Sequence, residues 1–545
     1  MPSSFESAIT PDQGQSEDID IEDSRLLLNS TRSFSPFSTH SERDRLYCSS
    51  HAEDEPSPSR LVRSRPRRVL RDICARIPSP SWGRLAIAPV FGWPESTPQR
   101  STATAWLDGL RGVAALQVFF FHFFGRHAKW GHSWGSTPED KYIHQLIIFR
   151  PIWTGGSAAV SIFFVISGYA ITVKSLNLIR QRNYEDIFKG LCSSLFRRGF
   201  RLYLPIILLA IPTLILMRVV DMSDGFIYPK EKAGTFGGQL VHFLNSTDDH
   251  LNPFVYKDNH LVNNRYTYVP TSWTIPMEYY GSLVCYLMVL TISRIDTFAT
   301  RCCILAFIAF YSLHRGSWWS SNFLVGMLLA DWTIEKNSNS KNSLSADKPS
   351  KGYRITHDAF YLILFCFGTY LAGVPPKVLN FEFDAPPRVG YKWLYPIVPP
   401  YFMFRFIEDV RWYWYWCGNL TVVSISQVTW LRAIFCTKFC QWLGKLSFSL
   451  YLVHAIVISA LSKPLQGLFE QITEHKGLLC LFQFVVQTPL IFMLSAAAER
   501  WIDRPSINFA RWIEGKAFQP ARSVEIPEMT EASNGHEMVG LMQPN

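Results

Sequence analysis

The chain has 545 residues, of which 48% are hydrophobic, 15% are aromatic and only 18% are charged. Soluble globular proteins carry about 25% charged residues, so this composition argues against that class and indicates a protein that faces lipid. The net charge of +9 lies mainly in basic segments, and it predicts membrane orientation and no nucleic-acid partner. The eleven cysteines include no CxxC pair, which predicts neither a zinc site nor a disulfide framework.

The first 100 residues differ in composition from the rest of the chain, because they are rich in serine, proline and acidic side chains. Such a segment cannot bury enough apolar surface to offset its ordering entropy, so residues 1–100 are predicted to be disordered. No apolar core follows a basic start, which predicts no cleavable signal peptide. The stretch RLVRSRPRRVLRDICAR (60–76) is typical of a juxtamembrane segment beside anionic lipid; a nuclear or nucleic-acid signal is the alternative.

Ten segments of the remaining chain are candidates for membrane spans, which need about 20 mostly apolar residues. The predicted fold class is therefore an all-α polytopic membrane protein with about ten transmembrane helices. The ten predicted spans are 105–125, 153–175, 200–220, 275–293, 298–314, 317–334, 358–374, 411–431, 445–463 and 477–498. The fifth, sixth and eighth of these spans are the weakest candidates.

Lysine and arginine residues predict the orientation, because they favour the cytosolic side of short loops. The arginine-rich stretch before the first span predicts a cytosolic N-terminus, and loops 176–199 and 335–357 are basic as well. Ten spans return the C-terminus to the cytosol, with residues 513–545 as a disordered tail. Loop 221–272 then lies outside, where the sequon at Asn245 suits glycosylation. The membrane is that of the endoplasmic reticulum, the Golgi or the cell surface.

The first span, LDGLRGVAALQVFFFHFFG, carries Asp108, Arg111 and His122. Arg111 and His122 are eleven residues apart, which on a helix is about three turns and about 16 Å along the axis. They therefore face the same way. Asp108 and Arg111 could be a structural pair, and His122 could merely hydrogen-bond a neighbouring helix. Ionisable residues inside a span are costly and mark functional sites by default, so the shared face favours a polar track through the bundle.

Polar and small residues also occur in the second and third spans. Ser167 and Gly168 lie in GGSAAVSIFFVISGYAIT, where close helix packing is the alternative reason for small residues. Arg198 and Arg201 lie in RRGFRLYLP, where the third span enters from the cytosol. They either anchor that helix end or hold phosphates with two guanidinium groups.

Two more ionisable residues lie inside predicted spans, so they too are functional candidates. Glu278 follows the tryptophan of TSWTIPMEYYGS at the start of the fourth span, and His454 closes GKLSFSLYLVH inside the ninth. The segment GHSWG (131–135) fits the nucleophile elbow of hydrolases. That motif requires a strand, a strained turn and a helix, whereas this segment lies in a short loop, so Ser133 is not expected to be a nucleophile.

Five of these motifs and a sixth near the end of the last span follow one another in an order that resembles the acyltransferase 3 family of integral-membrane acyltransferases, over about residues 104–512. The disordered, arginine-rich front resembles fungal members. The resemblance implies transfer of an acyl group, often acetyl, from cytosolic acyl-CoA to a hydroxyl of a sugar or another acceptor, without a metal. The motifs are LDGLRGVAALQVFFFH, SIFFVISGYAI, RRGFRLYLP, SWTIPMEYY, LGKLSFSLYLVH and AERWIDRPS.

The resemblance also implies functional positions. Tyr169 stands where many relatives have phenylalanine, which is a mild departure. No esterase domain follows the membrane part, which argues against the bacterial cell-wall and lipopolysaccharide acceptors of some relatives. The positions implied are Arg111 and His122, the arginine-x10-histidine signature, then Ser167 and Gly168, Arg198 and Arg201, and the acids Glu278 and Glu499.

Acyl transfer needs a base for the acceptor hydroxyl, a donor for the developing oxyanion and a site for the CoA phosphates. An imidazole suits the first role, so His122 is the predicted base. Arg111 is expected to stabilise negative charge on the thioester. Arg198 and Arg201 are expected to hold the CoA pyrophosphate, and the resemblance places Ser167 and Gly168 with them in the donor-binding site. Glu278 is expected to orient His122 or the acceptor.

Two other classes of function remain alternatives. A polytopic transporter or proton-coupled carrier would use the same intramembrane arginine, histidine and glutamate residues, although the inverted repeats common in transporters are not visible here. A non-catalytic membrane protein that binds lipid or acyl-CoA is the second. The sequence does not identify the acceptor or the length of the acyl chain.

Overall fold

The computed structural model describes residues 90–91, 104–129, 131–222, 234–252, 266–342, 350–375, 389–399, 402 and 408–518. Within these ranges every regular element is helical and no β-strand occurs, which confirms the predicted all-α fold class. The predicted disordered region 1–100 lies outside the described residues except for Val90 and Phe91. The same holds for residues 519–545 of the predicted tail.

The α-helices of the described part are numbered here in chain order. Three 3₁₀ helices, Ile143–Gln145, Pro270–Thr274 and Lys392–Ile397, and a π-helical turn, Glu499–Asp503, supplement them. The α-helices are α1 (Ala105–Phe124), α2 (Arg150–Thr154), α3 (Gly156–Arg180), α4 (Tyr184–Val219), α5 (Phe236–Leu251), α6 (Ile275–Ile292), α7 (Phe298–His314), α8 (Trp318–Asn342), α9 (Lys351–Ala372), α10 (Glu408–Gln427), α11 (Thr429–Phe435), α12 (Lys438–Glu470), α13 (Lys476–Ala498) and α14 (Arg504–Ala517).

Each predicted span overlaps one main helix, although span 411–431 continues past the end of α10 into α11 and span 200–220 covers only the second half of α4. Among the described residues, seven helices are long and apolar enough to cross a membrane: α1, α3, α4, α6, α9, α12 and α13. The other three are α7, α8 and α10, the same three that the sequence marks as weakest. α7 has only 17 residues. α8 and α10 carry polar residues that face each other, such as Asn322 and Asn419, whose side chains are 2.9 Å apart.

Short connections make neighbouring helices antiparallel, as in up-and-down bundles. Residues 181–183 join α3 to α4, and residues 315–317 join α7 to α8. In the second connection Gly316 has a φ of 81°, a left-handed conformation that glycine adopts without a steric penalty. The chain therefore reverses direction within three residues at both places.

The first helix packs directly along α12 through two glycines. A Cβ atom on Gly112 would lie 2.3 Å from the backbone nitrogen of Gly444, and one on Gly444 would lie 2.3 Å from the carbonyl oxygen of Asp108. Because no side chains separate them, the two backbones touch, as small residues allow in membrane bundles. This contact fixes the register in which α1 and α12 present their histidines.

A buried ion-pair network joins α3, α7 and α8. Asp331 is fully buried. Its carboxylate accepts from Arg301 Nε at 2.9 Å and from Arg180 Nη2 at 2.8 Å. Arg180 also pairs with Glu335. A buried carboxylate is stable only when paired and hydrogen-bonded, so Asp331 depends on both guanidinium groups.

The C-terminal helix α14 packs against α4. The rings of Phe200 and Phe509 lie 6.2 Å apart, and Arg197 Nε lies 3.2 Å from Glu514 Oε2. The prediction that the tail begins at residue 513 is therefore wrong, since α14 continues to Ala517. The helix is amphipathic, and its apolar face has a partner on α4, which the sequence of the tail alone does not reveal.

Candidate active site

Three of the predicted site residues meet at the start of α6. Glu278 Oε1 accepts from Arg198 Nη2 at 2.6 Å and from Ser167 Oγ at 2.6 Å. Arg198 Nε also donates to Ser282 Oγ at 2.8 Å. Glu278 lies in the first turn of α6, where the positive end of the helix dipole favours a carboxylate. Residues from α3, α4 and α6 thus form one hydrogen-bonded cluster.

Gly168 brings α3 close to α8. A Cβ atom on Gly168 would lie 2.0 Å from the carbonyl oxygen of Phe323, so only glycine fits there without a shift of backbone. The structure therefore shows a packing contact at Gly168, which is the alternative that the sequence analysis left open. Because Ser167 is its neighbour, this packing also sets the position of the hydroxyl that bonds Glu278.

Arg111 and Arg201 add two guanidinium groups beside that cluster. Arg201 is exposed and interacts electrostatically with Arg198, Arg111, Asp503 and Glu278. Three arginines from α1 and α4 therefore share one region of the protein, as their predicted positions near one membrane face imply. Such a concentration of positive charge favours an anionic ligand.

Arg111 also forms the ion pair with Asp108 that the sequence analysis gave as an alternative. Arg111 Nη1 lies 3.4 Å from Asp108 Oδ1, and the Asp108 side chain is 57% exposed. Exposed pairs at this distance contribute little to stability, about 0–1 kcal/mol. The pair therefore leaves Arg111 available for another anion.

His122 pairs with the second intramembrane histidine. His122 Nδ1 lies 3.0 Å from His454 Nε2, and the two ring centroids are 5.0 Å apart. His122 is partly exposed, whereas His454 is fully buried. The sequence singled out both residues as intramembrane histidines but did not predict their contact, because it depends on the register of α1 against α12.

His122 contacts His454, and Glu278 bonds Arg198 and Ser167. The expectation that Glu278 orients His122 or the acceptor stays a prediction. On α1, Arg111 and His122 are separated by about 16 Å along the axis. The arginine cluster and the histidine pair are thus two parts of the site at different positions along α1.

The turn before α6 links the two parts. Thr274, the last residue of the 3₁₀ helix Pro270–Thr274, lies with its Oγ1 2.9 Å from the hydroxyl of Tyr451 on α12. The Tyr451 ring lies 6.3 Å from the His454 ring, and Glu278 follows four residues after Thr274. Segment 274–278 therefore contacts Tyr451 beside the histidine pair and also carries Glu278 of the arginine cluster.

Ser133 is not part of this site. Its hydroxyl is buried and lies 2.9 Å from that of Ser136. The surrounding loop is organised by Asp140, whose Oδ2 lies 2.7 Å from His132 Nδ1. No strand precedes Ser133 among the described residues, so the elbow geometry of hydrolases is not present there.

The described site thus has two parts, a group of arginines with Glu278 and Ser167 and the pair of His122 with His454. The family described as "Acyltransferase domain", acyltransferase 3, matches residues 104–498. The chain belongs to this family, which confirms the resemblance, and it is an acyltransferase. All of the residues of the two site parts lie inside or directly beside the matched range.

Curated relatives from fungi agree with the family. The O-acetyltransferase PaAT-1 of Phomopsis amygdali is 26% identical, over 75% of this chain and 84% of its own. The acyltransferase clz18 of Cochliobolus lunatus is 24% identical, over 75% of this chain and 95% of its own. The acyltransferase R4 of a Phoma species is 25% identical, over 66% and 84%. No solved structure matches the chain significantly.

Proposed function

We propose that the protein transfers an acyl group, acetyl in the first instance, from acyl-CoA to a hydroxyl of a carbohydrate, lipid or other small-molecule acceptor. The observation that carries the proposal is the pairing of His122 with His454. About 16 Å along α1 separates His122 from Arg111, which lies in one region with Arg198 and Arg201. Fungal relatives named as an O-acetyltransferase and acyltransferases support the same chemistry.

The arginine cluster suits the donor. Acyl-CoA carries phosphates, and guanidinium groups bind phosphate through charge-assisted, often bidentate hydrogen bonds. Arg198 and Arg201 take this role, with Glu278 and Ser282 holding Arg198 in place and Ser167 bonding Glu278. We place Arg111 with them, because about 16 Å of helix separates it from His122. This revises the expectation that Arg111 stabilises the thioester oxyanion.

His122 acts as the general base. It takes the proton from the acceptor hydroxyl while the oxygen attacks the thioester carbonyl carbon, and the sulfur of CoA then leaves with that proton. A neutral imidazole is suited to both transfers near neutral pH. The partial exposure of His122 leaves a route for the acceptor.

All ten predicted helices cross the membrane in this proposal, with both termini in the cytosol. α8 has 25 residues and α10 has 20, or about 37 and 30 Å, enough for a hydrocarbon core of about 30 Å. Asn245 is exposed on α5, which lies on the outer side in this topology. The endoplasmic reticulum, the Golgi and the cell surface are the candidate membranes.

The test uses purified protein in lipid vesicles with isotope-labelled acetyl-CoA. A small-molecule extract of the organism that makes the protein supplies the acceptor. The proposal predicts a compound whose mass increases by one acetyl group, and no such product with His122→Ala. Label that crosses the vesicle without covalent change would instead support a carrier. Full activity of a folded His122→Ala variant would remove His122 as the base.

A further inference from the structure

The hydrogen bonds of His454 determine which of its nitrogens carries a hydrogen. Its Nδ1 lies 2.7 Å from the carbonyl oxygen of Leu450. A carbonyl only accepts, so this nitrogen donates. The ring is fully buried, with the rings of Phe119 and Tyr451 at 6.4 and 6.3 Å. A charged imidazolium is strongly disfavoured in such surroundings, so the ring is neutral and its Nε2 bears a lone pair.

The same argument then fixes the hydrogen of His122. Its Nδ1 lies 3.0 Å from His454 Nε2 and 3.1 Å from the carbonyl oxygen of Val118. Both partners are acceptors, so the hydrogen of a neutral His122 ring lies on Nδ1. Its Nε2 is then the nitrogen with the lone pair.

We propose that His454 is a positioning residue that holds His122 in the tautomer whose Nε2 takes the proton of the acceptor hydroxyl. The inference rests on the proposed function and deepens it. As the acceptor O–H bond breaks, the proton moves to His122 Nε2 and the oxygen bonds to the thioester carbon. The carbon–sulfur bond then breaks, and the sulfur takes the proton from Nε2. While His122 is charged, its Nδ1–H bond to His454 is charge-assisted and stabilises the cation.

The competing explanation is that the two histidines only hold α1 against α12. The variants His454→Phe and His454→Gln separate the two roles. Phenylalanine keeps a ring of similar shape beside Phe119 but has no acceptor. Glutamine can place its side-chain oxygen near the position of Nε2 and accept from His122. Asn419→Leu is the matched control, since it removes another buried bond between helices, to Asn322, away from the histidines.

Two measurements on the full-length protein test the proposal. The first is the rate of thiol release from acetyl-CoA, with the small-molecule extract of the producing organism as the source of the acceptor. We expect His454→Phe to lower kcat by about 10- to 100-fold, as for other residues that orient a catalytic ligand, with KM for acetyl-CoA within about twofold. His454→Gln should recover part of that loss, and Asn419→Leu should keep kcat near the wild-type value.

The second measurement is nitrogen NMR of ¹⁵N-histidine protein in lipid, with His122 assigned by its loss in His122→Ala. We expect a protonated Nδ1 and an unprotonated Nε2 in the wild type, and a mixture of tautomers in His454→Phe. A wild-type hydrogen on Nε2, or an unchanged tautomer and kcat in folded His454→Phe, overturns the inference. If His122→Ala is inactive in that case, the role of His122 as the base stands and only the inference about His454 fails. If His122→Ala is fully active, the base role and the inference both fail, and the acyl transfer itself stands. A wild type that forms no acetylated product would overturn the proposed function.

Discussion

Arg198 and Glu278, 80 residues apart in the chain, form an ion pair of 2.6 Å in which both side chains are nearly buried. The same carboxylate oxygen accepts from Ser167, and Ser282 holds the Nε of the guanidinium. The guanidinium is therefore oriented by two residues of α6, and Ser167 of α3 fixes the carboxylate that it bonds. An orientation fixed in advance lowers the entropy that a bound phosphate has to overcome.

Variants of Arg198 and Glu278 should separate the contribution of this ion pair to stability from its contribution to acetyl-CoA binding. Arg198→Ala leaves a buried unpaired carboxylate, which costs about 3–5 kcal/mol of stability, and should raise KM for acetyl-CoA at least tenfold. The double variant Arg198→Ala/Glu278→Gln should recover stability but not KM. Thermal unfolding in detergent and a titration of acetyl-CoA measure the two effects. A wild-type KM in folded Arg198→Ala would refute the donor role.

Gly168→Ala should destabilise the bundle, because its methyl group would lie 2.0 Å from a backbone oxygen of Phe323 that cannot move alone. We expect a loss of about 1–3 kcal/mol, as for other overpacked sites, read as a lower unfolding temperature. Gly190→Ala is the control, since no atom lies within 4 Å of a Cβ there. It should be neutral or slightly stabilising in α4. Equal stability of the two variants would contradict the close contact.

Asp331→Asn should be far more damaging than the same change at the exposed Asp296. Asp331 is buried between Arg180 and Arg301, and loss of its charge leaves two cations without their shared partner, at about 3–5 kcal/mol. Asp296 pairs with Arg182 at the surface, where both side chains are more than two-thirds exposed, so its loss should cost about 0–1 kcal/mol. Chemical unfolding of both variants in one detergent compares them.

Stability of the loop around Asp140 should depend on acid pH. Burial alone would raise the pKa of Asp140, but hydrogen bonds from Gln145, His132 and Thr137 outweigh it and lower the pKa below its ordinary 3.8. A carboxylate with a lowered pKa stabilises the fold above its unfolded pKa, and that contribution is lost as the pH falls through the folded value.

We therefore expect limited proteolysis of this loop to accelerate as the pH falls below about 3.8. Asp140→Asn should be cleaved faster at neutral pH and should show a smaller change with pH. Glu139→Gln, at an exposed neighbouring position, is the control and should follow the wild type. A wild type whose cleavage rate does not change between pH 6 and 3 would show that Asp140 does not stabilise the loop.

Several features of the site follow from local sequence. The shared face of Arg111 and His122 is a consequence of helix geometry, and the intramembrane glutamate and histidines stand out because they are costly in lipid. The weakness of α7, α8 and α10 as spans is equally visible. What escaped prediction is each partnership: His454 for His122, Arg198 for Glu278, and Phe323 against Gly168.

The sequence by itself determined the all-α fold class, the polar residues inside the predicted spans and, through its motifs, the family. These depend on composition and on spacing along one helix, both of which are local. Only the tertiary structure decided which histidine nitrogens face each other, because this contact depends on the register of helices that lie hundreds of residues apart in the chain. His122 and His454 are 332 residues apart. Their contact depends on the touching backbones at Gly112 and Gly444, and a shift of one residue along α1 would turn the His122 ring by about 100°.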